Sequence, residues 1–218
     1  MKCNALKKKV SLAVLDYIPS NSIIGIGSGT TILHFVQMLY ESNKKIIGAI
    51  SSSFNTTVIL KKYGFKVYNI NTISEPIIYI DSADVVDQNM HMIKGGGGAL
   101  TKEKILVAMC KKFICIIDET KLVNVLSEFP VPIEIIPNAY SYVYHQLKKM
   151  GGNPKYRKNY TTENGNIIFD VHNLNLSDPI NIENILNSLV GVVTVGLFAN
   201  RKSDILLIGT QSGINVIQ

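Results

Sequence analysis

The sequence lacks the residue patterns of disulfide-rich and metal-binding proteins. Its 218 residues include 3 cysteines (Cys3, Cys110 and Cys115), an odd number with no C-x-x-C spacing. This argues against a disulfide framework and against a structural zinc site. The 4 histidines are scattered along the chain and no H-E-x-x-H occurs, so we predict no metal site.

Charged residues are scarce, and no apolar run is long enough to span a bilayer. With 17% charged and 46% hydrophobic residues, the chain is expected to be an ordered globular protein. Residues 1–16 loosely resemble a signal peptide, but their apolar part stops at Asp16 and no small-residue cleavage site follows. The spacing of Leu6, Val10, Ala13 and Val14 instead predicts an amphipathic helix. We therefore expect a cytoplasmic protein without a membrane partner.

The formal net charge of +6 suits an anionic partner. Nucleic acid is one candidate, because K-Y-R-K-N-Y at 155–160 mixes basic and aromatic residues as a stacking surface does. The other lysines are spread along the chain, however, and no nucleic-acid-binding motif occurs. A small phosphorylated substrate or a lysine-rich surface accounts for the charge equally well, so we expect no nucleic-acid partner.

Short apolar strands alternate with helices in the first part of the chain. After an N-terminal helix and a strand before Gly27, the patterns predict strands at 45–50, 65–70, 77–80 and 113–117, and a helix at 54–63. This alternation is typical of an α/β fold with a parallel, Rossmann-like sheet. The segment 204–208 is expected to return to the same sheet.

The pattern changes from about residue 129, where prolines mark a boundary. A helix at 138–150, a type I′ hairpin turn at Asn164–Gly165, a helix at 178–189 and a strand at 192–197 indicate a compact α+β, ferredoxin-like subdomain. We therefore predict a catalytic domain of residues 1–128 plus 200–218, and a smaller subdomain of residues 129–199.

The first glycine loop (residues 25–30, G-I-G-S-G-T) follows a buried strand and opens a helix. A dinucleotide fingerprint needs a third glycine at Thr30 and an acidic residue where Ser51 to Ser53 stand, and a P-loop needs Gly-Lys-Ser/Thr. Neither pattern is present. A hydroxyl-rich loop at a helix N-terminus suits a phosphate monoester instead.

The stretch 93–105, I-K-G-G-G-G-A-L-T-K-E-K-I, is the strongest candidate for an active site. Four consecutive glycines, the second glycine loop (residues 95–98), indicate a sharp bend or a close approach of backbone N–H groups to a ligand. Lys94 adds what we expect to be a mobile cation. Glu103 shares a helical stripe with Ala99, Leu106 and Cys110, so it is predicted to be a carboxylate on an apolar face.

Five motifs, in matching order and spacing, resemble ribose-5-phosphate isomerase of type A. They are G-I-G-S-G-T-T at 25–31, D-S-A-D at 81–84, the stretch 93–105, D-E-T-K-L-V at 118–123 and P-V-P-I-E-I-I-P at 130–137. The similarity runs the whole length, through V-G-V-V-T-V-G-L-F-A-N-R at 190–201. The resemblance implies interconversion of D-ribose 5-phosphate and D-ribulose 5-phosphate in the pentose phosphate pathway, without a metal or organic cofactor. It also implies a homodimer or homotetramer.

The resemblance assigns a role to each matching residue. Glu103 is implied to be the base that moves a proton between C2 and C1. The other catalytic residues that the resemblance implies are Asp81, Asp84 and Lys94. They are implied to assist ring opening and to stabilise the enediolate with backbone N–H groups. The implied substrate-binding residues are Ser28, Gly29, Thr30, Thr31, Asp81, Ser82, Ala83, Asp84, Lys94, Gly95, Gly96, Gly97 and Lys121, with Lys7 as a further phosphate candidate.

The sequence departs from the family at a few positions. Ser82 stands where glycine is usual, which would cost on the order of 1 kcal/mol if its φ were positive. Ser28 replaces a frequent threonine but keeps a hydroxyl, and Val85 replaces a frequent carboxylate.

Two other functions deserve comparison with the isomerase. Acyl-CoA transferases use a glutamate nucleophile that can stand in an E-N-G setting, as Glu163 does, although an Asn-Gly pair is more simply a turn. A sugar-phosphate sensor would need a DNA-binding helix pair, and the chain before Ser22 has room for one helix.

Overall fold

The computed structural model describes residues 2–73 and 78–218, which divide into two compact units. The first comprises Met1–Ala83, Ile105–Leu122 and Ser203–Gln218, and the second comprises Asp84–Lys104 and Val123–Lys202. These units place residues 84–104, 123–128 and 200–202 differently from the predicted domains, and the predicted division stays a prediction.

The described residues contain α-helices and strands in alternation. The helices are α1 (Lys2–Ala13), α2 (Thr30–Glu41), α3 (Phe54–Lys62), α4 (Leu100–Met109), α5 (Tyr140–Lys149) and α6 (Pro179–Asn187). The strands are β1 (Ile23–Ile26), β2 (Gly48–Ser51), β3 (Ile78–Asp81), β4 (Val85–Val86), β5 (Met92–Ile93), β6 (Lys112–Asp118), β7 (Val131–Ile135), β8 (Asn153–Tyr156), β9 (Ile167–His172), β10 (Val192–Val195), β11 (Leu197–Phe198), β12 (Ile205–Gly209) and β13 (Ile214–Ile217).

The first unit is built on one six-stranded sheet, in the order β13-β12-β6-β3-β1-β2. All neighbouring pairs are parallel except β12 with β13. The strands read as runs of isoleucine, valine and leucine because a parallel sheet is covered on both faces. The predicted Rossmann-like sheet is confirmed, and so is the return of 204–208 to it as β12.

The strand order creates a crevice at one edge of this sheet. The chain passes from β1 to β2 on one side and returns to β3 on the other side of β1. In such doubly wound sheets, ligands bind outside the carboxyl ends of the two strands at this reversal. The residues that follow β1 and end β3 therefore occupy the expected position for a ligand site.

The second unit contains a four-stranded antiparallel sheet in the order β10-β7-β9-β8. With α5 between β7 and β8 and α6 between β9 and β10, the chain follows the β-α-β-β-α-β path of a ferredoxin-like fold. This prediction is confirmed. Val85 packs into the core of this unit, so the replaced carboxylate has become an apolar contact.

A second, smaller sheet of the same unit has the order β11-β5-β4. The predicted strand at 192–197 is divided between the two sheets at Gly196. The Gly196 N–H donates to the Pro132 carbonyl at 2.7 Å, and its own carbonyl accepts from Lys94 N at 2.8 Å. A Cβ at Gly196 would overlap the Lys94 carbonyl, so only glycine allows this contact.

Two local predictions are wrong. The segment 65–70 forms a single bridge, Ala49 with Val67, instead of a strand, because the Asn69 side chain accepts from Asn71 N and starts a 3-10 turn. The turn at Asn164–Gly165 is not type I′, which needs positive φ at both residues. Of this pair only Gly165 has positive φ, at 79°. Ile77 of the strand predicted at 77–80 lies outside the described residues.

Candidate active site

The first glycine loop leads directly into α2. Gly29, with φ 90° and ψ 174°, precedes the helix, and Thr30 and Thr31 are its first residues. Lys7 Nζ, from α1, donates a hydrogen bond to Thr30 Oγ1 at 2.8 Å. The helix N-terminus, the Thr30 hydroxyl and an ammonium group thus stand together, which is an arrangement that favours an anion.

The Asp81 carboxylate links the ends of β1 and β3. Its Oδ1 accepts from Ser28 N at 3.0 Å and from Ser82 N at 2.7 Å, and its Oδ2 accepts from the Tyr79 hydroxyl at 2.5 Å. A Cβ at Gly27 would overlap this carboxylate, so glycine is required there. Asp81 therefore holds the first glycine loop against β3, at the reversal of the strand order.

Other predicted residues of the first unit surround the same sheet edge. Ser82 is not among the described residues with positive φ, so the expected backbone penalty does not arise, and its Oγ donates to Ser28 O at 3.2 Å. Ala83 is buried. Lys121 ends a short 3-10 helix after β6, and Asp118 caps this helix by accepting from Thr120 N at 3.1 Å.

In the second unit, Lys94 and Glu103 form a buried ion pair. Lys94 Nζ lies 3.3 Å from Glu103 Oε2, and the two residues are only 2% and 3% exposed. The predicted burial of Glu103 on an apolar helix face is confirmed. The prediction that Lys94 is a mobile cation is wrong, because its backbone is bonded to Gly196 and its ammonium lies 5.6 Å from the Phe198 ring centroid.

The second glycine loop connects Lys94 to the helix that carries Glu103. Its four positions differ in whether, and why, they require glycine. Gly95 and Gly98 have φ values of 99° and 81°, which favour glycine. Gly96 donates its N–H to Asp84 Oδ2 at 2.7 Å, and a Cβ there would lie 2.8 Å from Asp84 Oδ1. Gly97 differs, since its φ is not positive and a Cβ would meet no described atom within 4 Å.

Sequence reasoning missed three residues that contact this region of the second unit. Arg157 and Tyr160 bond to carbonyl groups of the second glycine loop. Glu134 is fully buried and its Oε1 accepts from Thr162, Asn164 and Asn166. The signal for Arg157 and Tyr160 was the basic and aromatic stretch 155–160, which pointed toward nucleic acid, and the signal for Glu134 was its place in the motif at 130–137. The glutamate of E-N-G, Glu163, forms a partly exposed ion pair with Lys102 at 2.5 Å.

The described residues provide neither a cluster of metal ligands nor a membrane-spanning helix. Within residues 2–73 and 78–218, no group of three or more His, Cys, Asp or Glu residues is arranged so that it could hold a metal ion. Over the same ranges, no helix has both the length and the apolar character needed to cross a membrane.

Comparisons with known proteins show a family likeness over most of the chain. Residues 48–213 match the family model of ribose 5-phosphate isomerase A (phosphoriboisomerase A). A relative named ribose-5-phosphate isomerase A, from Buchnera aphidicola subsp. Acyrthosiphon pisum (strain Tuc7), is 57% identical over 100% of this chain and 97% of its own length.

Solved structures show the same likeness. The crystal structure of ribose 5 phosphate isomerase A from Neisseria gonorrhoeae is 43% identical, covers 97% of this chain and 95% of its own, and superposes with a TM-score of 0.95. A structure of D-ribose-5-phosphate isomerase in complex with phospho-erythronic acid is 30% identical, with full coverage of both chains and a TM-score of 0.95.

Proposed function

We infer that this chain, which belongs to the ribose 5-phosphate isomerase A family, interconverts D-ribose 5-phosphate and D-ribulose 5-phosphate. The enzyme is an aldose–ketose isomerase. The single observation that best supports the chemistry is the buried Lys94–Glu103 pair beside the second glycine loop. A desolvated carboxylate next to an ammonium group offers a base and a charge-stabilising group where an enediolate forms.

We propose that Glu103 removes the C2 proton and returns it at C1. Lys94 and the backbone N–H groups of Gly95, Gly96 and Gly97 stabilise the negative charge that develops on the oxygens. The complex of a relative with phospho-erythronic acid supports this, because that compound carries a phosphate and a carboxylate. A carboxylate shares the planar shape and divided charge of an enediolate.

We propose that Asp81 and Asp84 both assist ring opening, in different roles. Asp81 accepts from Ser28 N, Ser82 N and the Tyr79 hydroxyl, which suits a residue that holds the first glycine loop. Asp84 is partly exposed and accepts from Gly96 N. We therefore assign the acid–base step of ring opening to Asp84, with Asp81 fixing the loop and contacting the sugar alongside Ser82 and Ala83.

The phosphate is proposed to bind at the N-terminus of α2. The contact between Lys7 and Thr30 supports this, because it brings a cation to the helix end that already offers unpaired N–H groups. The proposed phosphate ligands are Ser28, Gly29, Thr30, Thr31, Lys7 and Lys121.

We propose further that the enzyme needs no metal or organic cofactor and binds no nucleic acid. Its reaction moves two protons and one pair of electrons within the substrate, from C2 and its oxygen to C1 and its oxygen, so no external redox partner is required. We also propose a homodimer or homotetramer that works in the cytoplasm, in the pentose phosphate pathway, because phosphorylated pentoses carry charge and do not cross a bilayer unaided.

One assay tests the reaction and its base together. Ribulose 5-phosphate formation is followed with chelator-treated protein, with Glu103→Gln alongside. We expect the parent to stay active after chelation and Glu103→Gln to lose about 10²–10⁴-fold in kcat, the range of general acid–base catalysis. The matched control, Glu163→Gln, should keep the parent kcat. Loss of activity on chelation would refute the metal-free proposal, and a Glu103→Gln variant near the parent rate would refute the base.

A further inference from the structure

Three consecutive carbonyl groups of the second glycine loop face two side chains of the β8–β9 connection (residues 157–166). Arg157 Nη1 lies 3.4 Å from Gly95 O and 3.3 Å from Gly96 O, and Nη2 lies 3.5 Å from Gly95 O. The Tyr160 hydroxyl donates to Gly97 O at 3.2 Å. The guanidinium contacts are long, so they act mainly as a cation facing two carbonyl dipoles.

The direction of these carbonyls fixes the direction of the amides. In a trans peptide the C=O and the following N–H point to opposite sides. With the Gly95 and Gly96 carbonyls facing Arg157, the N–H groups of Gly96 and Gly97 point away from it. One of them has a visible partner, because Gly96 N donates to Asp84 Oδ2 at 2.7 Å. The Gly95–Gly96 peptide thus stands between a guanidinium and a carboxylate.

Arg157 is itself held in place. Its Nε and Nη2 form a two-point contact with Asp170 at 2.9 and 2.5 Å, and the Tyr160 ring centroid lies 5.4 Å from its Cζ. Burial raises the pKa of the Tyr160 phenol, so its hydroxyl remains a donor at neutral pH. The carboxylate of Asp170 offsets the guanidinium charge, which suits orientation better than capture of an anion.

The β8–β9 connection is also anchored away from the glycines. Glu134 accepts from Thr162, Asn164 and Asn166 through Oε1, and from Thr101 of α4 through Oε2. Lys102 adds its ion pair with Glu163. The connection therefore has a rigid base from which Arg157 and Tyr160 reach the glycine carbonyls.

We propose that Arg157 is a positioning residue of the isomerase reaction. By facing the carbonyls of Gly95 and Gly96 it aims the amide of Gly97 at the developing oxyanion, and through the Gly96 amide it sets the carboxylate of Asp84. This rests on the proposed function, because it acts through groups assigned there.

The test compares four variants: Arg157→Ala, Arg157→Lys, Lys158→Ala and Lys102→Met. Lys158 is an exposed cation one residue away, and Lys102→Met loosens the same connection without touching the glycine carbonyls. We measure kcat and KM separately, thermal unfolding, and the affinity for inorganic phosphate.

Arg157→Ala is expected to lose about tenfold to a hundredfold in kcat, as a small misplacement of catalytic groups does. Phosphate affinity should stay at the parent value. Arg157→Lys keeps a charge for Asp170 but not the planar fork, so it should lose several-fold in kcat while remaining folded. Added guanidinium ion should restore part of the kcat of Arg157→Ala. Lys158→Ala and Lys102→Met should keep the parent kcat.

Two results would overturn the proposal while leaving the proposed function intact. One is an active parent protein in which Arg157→Ala or Arg157→Lys keeps the parent kcat. The other is a loss of kcat in Lys102→Met equal to the loss in Arg157→Ala. If Arg157→Ala does not fold, Arg157→Lys decides alone. An inactive parent would instead refute the proposed function.

Discussion

The two glycine loops of this protein each precede a helix, yet they have opposite surroundings. The first, residues 25–30, ends in the exposed Gly29 and Thr30, with Lys7 bonded to a threonine hydroxyl. The second, residues 95–98, joins a lysine and a glutamate that are almost fully buried. An exposed helix end with hydroxyls and a cation suits a hydrated phosphate, whereas a desolvated ion pair suits proton transfer.

The loops also differ in how their backbone is fixed. Asp81 holds the first loop from its amide side, by accepting from Ser28 N. Arg157 and Tyr160 hold the second loop from its carbonyl side. The Gly96 N–H donates to Asp84 and the Gly98 N–H donates to the Gly95 carbonyl, so Gly97 supplies the amide that makes the second loop the better candidate for an oxyanion site.

Removing the Lys94 charge should give the largest effect of the substitutions at either loop, as a loss of unfolding free energy at the second loop. Lys94→Met leaves the Glu103 carboxylate buried without its cation, and breaking a buried pair costs about 3–5 kcal/mol of unfolding free energy. The double variant Lys94→Met with Glu103→Gln should be destabilised less than Lys94→Met alone. Urea unfolding of Lys94→Met, Glu103→Gln and the double variant measures these unfolding free energies. A loss of unfolding free energy in the double variant equal to the sum of the two single-variant losses would show that the pair is not coupled.

Removing Lys7 should affect binding at the first loop. Lys7→Ala removes a charged contact, and such hydrogen bonds are worth about 1.5–3 kcal/mol, so KM should rise by about tenfold or more. The kcat should change much less, because Lys7 is assigned to the phosphate and not to the reacting carbons. Steady-state kinetics measures both constants, with the exposed neighbour Lys8→Ala as the control. A fall in kcat with constant KM would contradict the assignment.

Gly97 offers the smallest and most selective change. Nothing in the described structure requires glycine there, so Gly97→Ala should leave the unfolding free energy unchanged or slightly higher. If the Gly97 amide approaches the substrate, the added methyl group should lower kcat/KM several-fold. Gly95→Ala is the contrast, because its φ of 99° and a Cβ 2.8 Å from Leu100 Cβ predict lost stability. Unchanged kcat/KM in Gly97→Ala would remove Gly97 from the site.

The sequence predicted those features that depend on neighbouring residues. Alternating apolar strands and helices indicated the parallel sheet, and the spacing of Ala99, Glu103 and Leu106 on one helical stripe predicted the buried carboxylate. The small sheet was missed because β4 and β5 are two residues each, too short to show a period. The two-residue strand β11 overlaps the end of the strand predicted at 192–197, because the apolar pattern continues across Gly196.

Features that depend on distant residues could not be read in this way. Arg157 lies 61 and 62 residues along the chain from Gly96 and Gly95, whose carbonyls it faces, and its own stretch has the composition of a basic surface. The burial of Lys94 follows from Phe198 and Gly196, a hundred positions away. Lysine is rarely buried without a partner, so its exposure was the natural expectation.

The proposed reaction depends most on a single carboxylate that serves two carbons, and an isotope label tests this directly. Ribose 5-phosphate carrying deuterium at C2 is converted in a single turnover, and deuterium at C1 of ribulose 5-phosphate is read by NMR. We predict that the parent moves part of the label from C2 to C1, and that Glu103→Gln leaves it at C2 while still binding phosphate. Loss of the C2 deuterium at near-parent rate in Glu103→Gln would contradict the account.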